Sequence, residues 1–308
     1  MGFATNQTEQ SIRVFCQSLR SVYDQEECDL IVLTNRYEDY FEDLTRLGVR
    51  FESTTNNYSM RTSKIAKLIN RILLQSFRAL YRLNRRRWVP EITDAYQVLI
   101  ETWHHPQLAR WFAYQRILRV NQIYRQIFVA DVKDIVFQAP FFSTSPDIQV
   151  MLFADANLYG ECYWNDRWIK EAYGSKGMSR VLGRQPVCIG TLLGSQSAML
   201  SLLDEFTAKM STHPFGRIEQ AIFNYMVHTD EFRTQYSIAP NVAGIVSTLA
   251  SEAAYERVQI IGDEICRVSD RSVIPVIHMY DRWPATLSLC SARFTGAARS
   301  LVANGTDV

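Results

Sequence analysis

Ile127-Phe128-Val129-Ala130-Asp131-Val132-Lys133-Asp134-Ile135-Val136-Phe137-Gln138-Ala139-Pro140-Phe141-Phe142 is the stretch on which the reading of this chain turns. An apolar run of strand type, Gln126 to Ala130, meets two acids, Asp131 and Asp134. It resumes as Ile135-Val136-Phe137 and stops at Pro140. A carboxylate at the end of a buried strand is costly unless it is paired or binds a cation. In open α/β sheets, ligands gather at the carboxyl ends of the strands. Two acids there offer hard oxygen ligands suited to Mg²⁺ or Mn²⁺. A strand-ending turn with solvated acids accounts for the same spacing, so the stretch alone leaves both readings open.

Outward from this stretch, strand-like runs alternate with helical ones. Asp29 to Asn35, Gly48 to Phe51, Val150 to Phe153, Pro186 to Ile189 and Val273 to Met279 read as strands. Ser11 to Leu19, Tyr37 to Leu47 and Gln220 to His228 carry apolar residues at helical spacing. Such alternation predicts an α/β fold with a mostly parallel central sheet and helical crossovers. The chain has 308 residues, 47% of them hydrophobic, enough for one large α/β domain or two smaller ones. Its net charge of +1 gives no global drive toward nucleic acid. The cysteines Cys16, Cys28, Cys162, Cys188, Cys266 and Cys290 form no Cys-x-x-Cys pair and suit neither a zinc site nor a disulfide framework. Free thiols point to a reducing, cytoplasmic compartment. There is no apolar run of about 18 residues that would span a membrane, and the first residues carry no signal-peptide pattern.

One segment differs from the rest. Arg61, Lys64, Lys67, Arg71, Arg78, Arg82, Arg85, Arg86 and Arg87 crowd together, and no acid occurs between Glu52 and Glu91. Ile65, Leu68, Ile69, Ile72, Leu73, Leu80 and Leu83 recur among them at near-helical spacing. This predicts a basic helical insertion over about 61–90. Either it lies on an anionic membrane surface, peripheral to the inner face, or it is an ordinary helix with a solvated basic side.

Four segments together resemble the metal-dependent glycosyltransferases of GT-A fold, and most closely their retaining, family-8-like branch. They are Phe128 to Gln138, a variant of the family's Asp-x-Asp signature; Val187-Cys-Ile-Gly190-Thr-Leu-Leu-Gly194-Ser195; Ile218-Glu219-Gln220-Ala-Ile-Phe-Asn224; and Val276-Ile-His278-Met-Tyr280-Asp281-Arg282. Weaker echoes lie at Ala109 to Tyr114 and Asn165 to Trp168. The segments span most of the chain in the family's order, so residues 1–308 are expected to form one such domain. The resemblance implies transfer of a hexose from a nucleotide sugar, a UDP-sugar by family expectation, to an acceptor that the sequence does not identify.

The resemblance also assigns roles. Asp131, Asp134 and His278 would ligate Mn²⁺ or Mg²⁺, a set chemically compatible with either ion. Bridging the diphosphate, the ion would stabilise the leaving group's growing charge. Lys133 and Arg282 would neutralise phosphate, with Arg offering a planar fork for its oxygens. Arg110 would help hold the donor; its apolar setting, Leu-Ala-Arg-Trp-Phe, equally suits a structural ion pair. Ala4, Thr5 and Asn6 would form the nucleotide loop after the first strand. Gly190 and Gly194 would allow the backbone close to the sugar. Glu219 and Gln220 would lie nearest the reacting carbon. An amide is a weak nucleophile, so a retaining reaction implies same-face attack, with the leaving phosphate accepting the acceptor's proton.

The chain departs from the family's pattern in three places. Its acids are two residues apart instead of one, so they must reach one ion from a turn. Glu219 stands where the family has Asp. Only a stub precedes the first helix, so the first strand is expected to be unusually short, or the native chain to start upstream. These departures give weight to a second class of function, a non-catalytic binding or scaffold protein that kept the fold.

Overall fold

The computed structural model describes residues 1–5, 7–35, 38–56, 90–145, 148–213 and 218–295, together with 72, 73, 75, 76, 78–80 and 83. A seven-stranded sheet forms its centre. The strands are β1 (Gly2–Phe3), β2 (Leu30–Thr34), β3 (Val49–Ser53), β4 (Gln126–Ala130), β6 (Val150–Ala154), β7 (Val187–Ser195) and β8 (Tyr236–Ala239), in the spatial order β3-β2-β1-β4-β7-β6-β8. Every neighbouring pair is parallel except the two that β7 makes, with β4 and with β6. The sheet is therefore parallel throughout apart from one reversed strand, in line with the mostly parallel sheet expected from the alternating pattern.

Alternation along the strands decides which face each side chain covers. Ile31 and Leu33 of β2, with Ile127 and Val129 of β4, pack into a core with Trp111, Tyr114, Phe206 and Phe223. Their neighbours Leu30, Val32, Phe128 and Ala130 join Phe15, Leu19, Phe41, Phe137 and Phe141 on the opposite face. This period of two is what a pleated strand imposes. The first face is covered by α3 (Pro90–Trp103), α4 (Pro106–Val120), α6 (Gln196–Met210) and α7 (Glu219–His228). The second is covered by α1 (Glu9–Arg20) and the short α2 (Phe41–Arg46). Thr8 caps α1 by accepting from the Ser11 amide, and Arg13 pairs with Glu9 one turn back at 2.6 Å. The helix α5 (Tyr163–Val181) lies against α7 and is interrupted at Gly174, whose φ of 67° breaks the helical backbone.

The acid-bearing stretch leaves this sheet. After Asp131 the chain turns, and β5 (Ile135–Phe137) pairs antiparallel with β12 (Val276–His278), which in turn runs parallel to β9 (Val246–Thr248). So the resumed apolar run does not continue β4; it opens a second, three-stranded sheet. A hairpin of β10 (Val258–Ile261) and β11 (Glu264–Arg267), the single turn α8 (Glu252–Tyr255) and the final helix α9 (Pro284–Thr295) complete this side.

Three other expectations are revised. The strand at Pro186 to Ile189 runs on to Ser195, with all nine residues of β7 buried. Gly190 and Gly194 sit within this strand, where other elements approach closely. The late strand is shorter than Val273 to Met279, because Met279 takes a left-handed backbone at φ 61° and ends it. The helix expected from Tyr37 starts at Phe41. β1 has only two residues between neighbours of five, the short first strand expected. Most of the basic segment 61–87 falls outside the described residues. Of its side chains, Arg78 donates to the Thr212 carbonyl at 2.5 Å, and Ile72, Leu73, Leu80 and Leu83 are half or more exposed. No described helix is long and apolar enough to cross a membrane.

Candidate metal centre

The turn from β4 to β5 is pinned at both ends by backbone bonds. The Asp131 amide donates to Gly190 of β7 at 2.9 Å, and the Met279 amide donates to the Asp134 carbonyl at 2.7 Å. These bonds let acids two residues apart converge. One carboxylate oxygen from each of Asp131 and Asp134 and one ring nitrogen of His278 all lie within 4.8 Å of one another. His278 Nε2 is 3.5 Å from Asp134 Oδ1 and 3.9 Å from Asp131 Oδ2. His278 and Asp134 are buried, whereas the Asp131 side chain is 28% exposed, so the cluster opens to solvent on the Asp131 side.

The residues fit a divalent cation on three grounds. His278 Nε2 and Asp134 Oδ1 are both buried without a hydrogen-bond partner, a costly arrangement that a shared cation relieves. Carboxylates with a neutral imidazole are a donor set suited to Mn²⁺ or Mg²⁺. Gly190 leaves the space: a Cβ there would stand 2.5 Å from His278 Cε1, 2.7 Å from Nε2 and 2.9 Å from Asp131 Oδ2. Without a cation, the cluster must hold a proton instead. Burial disfavours the charged ring of His278, but Cys188 and Asp134 outweigh burial and raise its pKa to about 10. Burial likewise works against the Asp134 carboxylate, and the nearby charges of His278, Lys133 and Arg282 outweigh it, holding the pKa below the usual value.

Around the cluster stand most of the expected cations. Arg110, on α4, is buried and ion-paired with Asp131 Oδ1, while its guanidinium lies 4.8 Å over the Trp111 ring. The pair reaches between elements, from α4 to the end of β4, and aims Asp131. Lys133 Nζ is 2.9 Å from Asp281 and Arg282 Nε is 3.8 Å from the same residue. Both side chains are about half exposed. Ala4 and Thr5 follow β1 at the end of the sheet that carries Asp131, and both are buried. Asn6 lies outside the described residues.

Other expected site residues are differently placed. Gly194 pairs with Ile127 at the far end of β4 from the acids, and its missing Cβ makes room for Val150 at 3.2 Å. Gln220 uses its amide on β7: Nε2 donates to the Val187 carbonyl at 2.7 Å, and Oε1 accepts from the Ile189 amide at 3.1 Å. Glu219 opens α7 beside it and is buried. These bonds have a local cause. The registered pairing of β7 with β4 runs from Thr191 to Ser195, leaving Val187 and Ile189 without registered partners on that side. Gln220 and Asn224 bond the backbone there.

Sequence reasoning missed four residues here. Thr248 Oγ1 and Cys188 Sγ lie 3.3 and 3.4 Å from His278 Nδ1. Asp155 follows β6 and is raised in pKa by burial; it accepts from the Ala156 amide at 2.7 Å and from Asn165 Nδ2 at 3.3 Å. Cys188 and Asn165 carried a signal only through the resembling segments that contain them, and Thr248 and Asp155 carried none.

No protein-family model and no curated protein matches the chain. Two solved structures align with it over 97% of its length and 95% of theirs: an active-site mutant of LgtC, at 10% identity and a TM-score of 0.49, and the galactosyltransferase LgtC in complex with donor and acceptor sugar analogs, at 13% identity and a TM-score of 0.46. Likeness at this level leaves the site to be judged on its own geometry.

Proposed function

We propose that this chain is a divalent-cation-dependent glycosyltransferase of GT-A fold that moves a hexose from a nucleotide sugar, UDP-linked by family expectation, to an acceptor. The observation that carries this is the convergence of Asp131, Asp134 and His278 around the space left by Gly190, at the carboxyl ends of β1 and β4. Mn²⁺ or Mg²⁺ held there would act as a Lewis acid on the diphosphate. Arg110 holds Asp131 in place. Lys133 and Arg282 swing from Asp281 to the phosphates. Ala4 and Thr5 edge the nucleotide pocket, and Glu219 bonds sugar hydroxyls from the start of α7.

Gln220, occupied with the backbone of β7, is a poor nucleophile both by chemistry and by engagement. For a retaining reaction, which the family resemblance implies, this placement favours same-face attack: the acceptor oxygen bonds to the anomeric carbon, the bond to the phosphate oxygen breaks, and that oxygen takes the acceptor's proton. The same engagement also favours a second reading, a fold that binds nucleotide sugar without turning it over.

Titration of UDP with and without Mn²⁺, followed by a donor-hydrolysis screen over nucleotide sugars, separates the two. The enzyme gives metal-dependent binding that Asp134→Ala abolishes, together with hydrolysis of at least one donor. Binding without hydrolysis of any donor selects the second reading, and UDP binding indifferent to Mn²⁺ removes the metal site from both.

A further inference from the structure

The imidazole that closes the cluster is held from behind by groups the chemistry above does not use. His278 is the cross-strand partner of Thr248, and the Leu249 amide donates to the His278 carbonyl at 2.9 Å. Thr248 is itself fixed. Its amide donates to Asn241 Oδ1 at 2.8 Å, and Asn241 Nδ2 donates to its carbonyl at 3.0 Å. The loop beyond Asn241 is held under strain, because Val242 sits at φ 67°, a region a β-branched residue seldom enters. Arg267 clamps it, donating through Nε to the Val242 carbonyl and through Nη2 to the Gly244 carbonyl, both at 2.6 Å. A strained backbone persists where its surroundings over-determine it.

What this frame presents to His278 is one hydroxyl. A ring whose Nε2 lone pair meets a cation must carry its proton on Nδ1, and the partner of that N–H selects the tautomer. Two groups reach Nδ1. Cys188 Sγ is a weak acceptor, whereas Thr248 Oγ1, at 3.3 Å, is a full one. We propose that Thr248 is the positioning residue that accepts the Nδ1 proton of His278 and so turns the Nε2 lone pair toward the cation, with Asn241 and Arg267 holding Thr248 in place. This rests on the metal-site reading above.

The test is Mn²⁺ binding by calorimetry to the full chain, without nucleotide, alongside thermal unfolding. Thr248→Val should weaken Mn²⁺ by about 10–100-fold, the usual cost of losing a partner of a ligating histidine, while Thr248→Ser restores binding to within about threefold, since the serine hydroxyl is the same acceptor. Cys188→Ala should leave the affinity within about threefold, because the thiol is the weaker acceptor. Wild-type affinity in Thr248→Val, or a Cys188→Ala loss exceeding that of Thr248→Val, overturns the proposal and leaves the metal reading standing. Failure of the wild-type chain to bind Mn²⁺ sinks the metal reading itself. Should Thr248→Val not fold, ¹⁵N spectra of wild-type protein saturated with Mg²⁺ decide. A proton on Nδ1 of His278 and none on Nε2 is the expected signature, and the opposite tautomer refutes it.

Discussion

A methyl group at position 190 would occupy the space a cation needs. Its Cβ would stand 2.5 Å from His278 Cε1, closer than side chains approach, so either β7 or the imidazole must move. Overpacking of this kind costs about 1–3 kcal/mol. Gly190→Ala is therefore expected to lower stability by that amount in urea unfolding and to abolish Mn²⁺ binding in calorimetry; unchanged Mn²⁺ affinity would place the cation elsewhere. The same cluster sets a pH dependence. In metal-free protein His278 has its pKa raised from 6.5 to about 10, so its stabilising contribution is complete below about pH 6.5 and drains away as pH rises through about 10. Asp134 works in the opposite sense: its pKa is lowered from 3.8, and its contribution is present above that value and lost as pH falls through the depressed one. Chelator-treated protein should thus melt at lower temperature at pH 9 than at pH 6. His278→Gln should flatten that difference, and an equal slope in the variant would refute the assignment.

At the scale of elements, α7 and β7 depend on one another. Asn224 is fully buried; its Oδ1 accepts from the Val187 amide at 2.7 Å, and its Nδ2 donates to the Val187 carbonyl at 2.8 Å. With Gln220 it bonds the backbone of β7 beyond Thr191, where the registered pairing of β7 with β4 ends. Asn224→Leu would strand buried backbone groups, at about 1–3 kcal/mol for each. The expected result is a lower urea midpoint with an unchanged denaturant slope, and no loss of stability would show that water substitutes for the side chain. This dependence also marks what could be read in the sequence. β4 was legible because Ile127 to Ala130 is an uninterrupted apolar run, and Asp131, Asp134 and His278 were legible because charge and imidazole stand out at strand ends. The full length of β7 was hidden, since Gly190 and Gly194 signal a turn locally and earn their place only through His278 and Val150 in three dimensions. Thr248 gave no signal, because strands as short as the three residues of β9 are defined by their partners more than by their own pattern.

On the scale of the whole molecule, charge is unevenly distributed. The chain has 33 basic and 32 acidic residues, yet nine of the basic ones fall between Arg61 and Arg87, where no acid occurs; the remainder is therefore net acidic. Within that segment the described side chains of Ile72, Leu73, Leu80 and Leu83 are half or more exposed. Apolar side chains facing water beside clustered arginines suit the surface of an anionic bilayer, where each basic residue contributes about 1 kcal/mol. A transferase held there would meet acceptors anchored in lipid. In vesicle sedimentation the chain should bind phosphatidylserine-containing vesicles, release as salt rises from about 0.1 M to 1 M and the screening length shrinks from about 10 to 3 Å, and ignore neutral vesicles. Replacing Arg82, Arg85, Arg86 and Arg87 by Glu should abolish sedimentation while leaving any Mn²⁺ binding intact, because Asp131, Asp134 and His278 lie outside this segment of the sequence. Equal binding to neutral vesicles would remove the electrostatic argument, and loss of Mn²⁺ binding in the same variant would show that the basic segment supports the site.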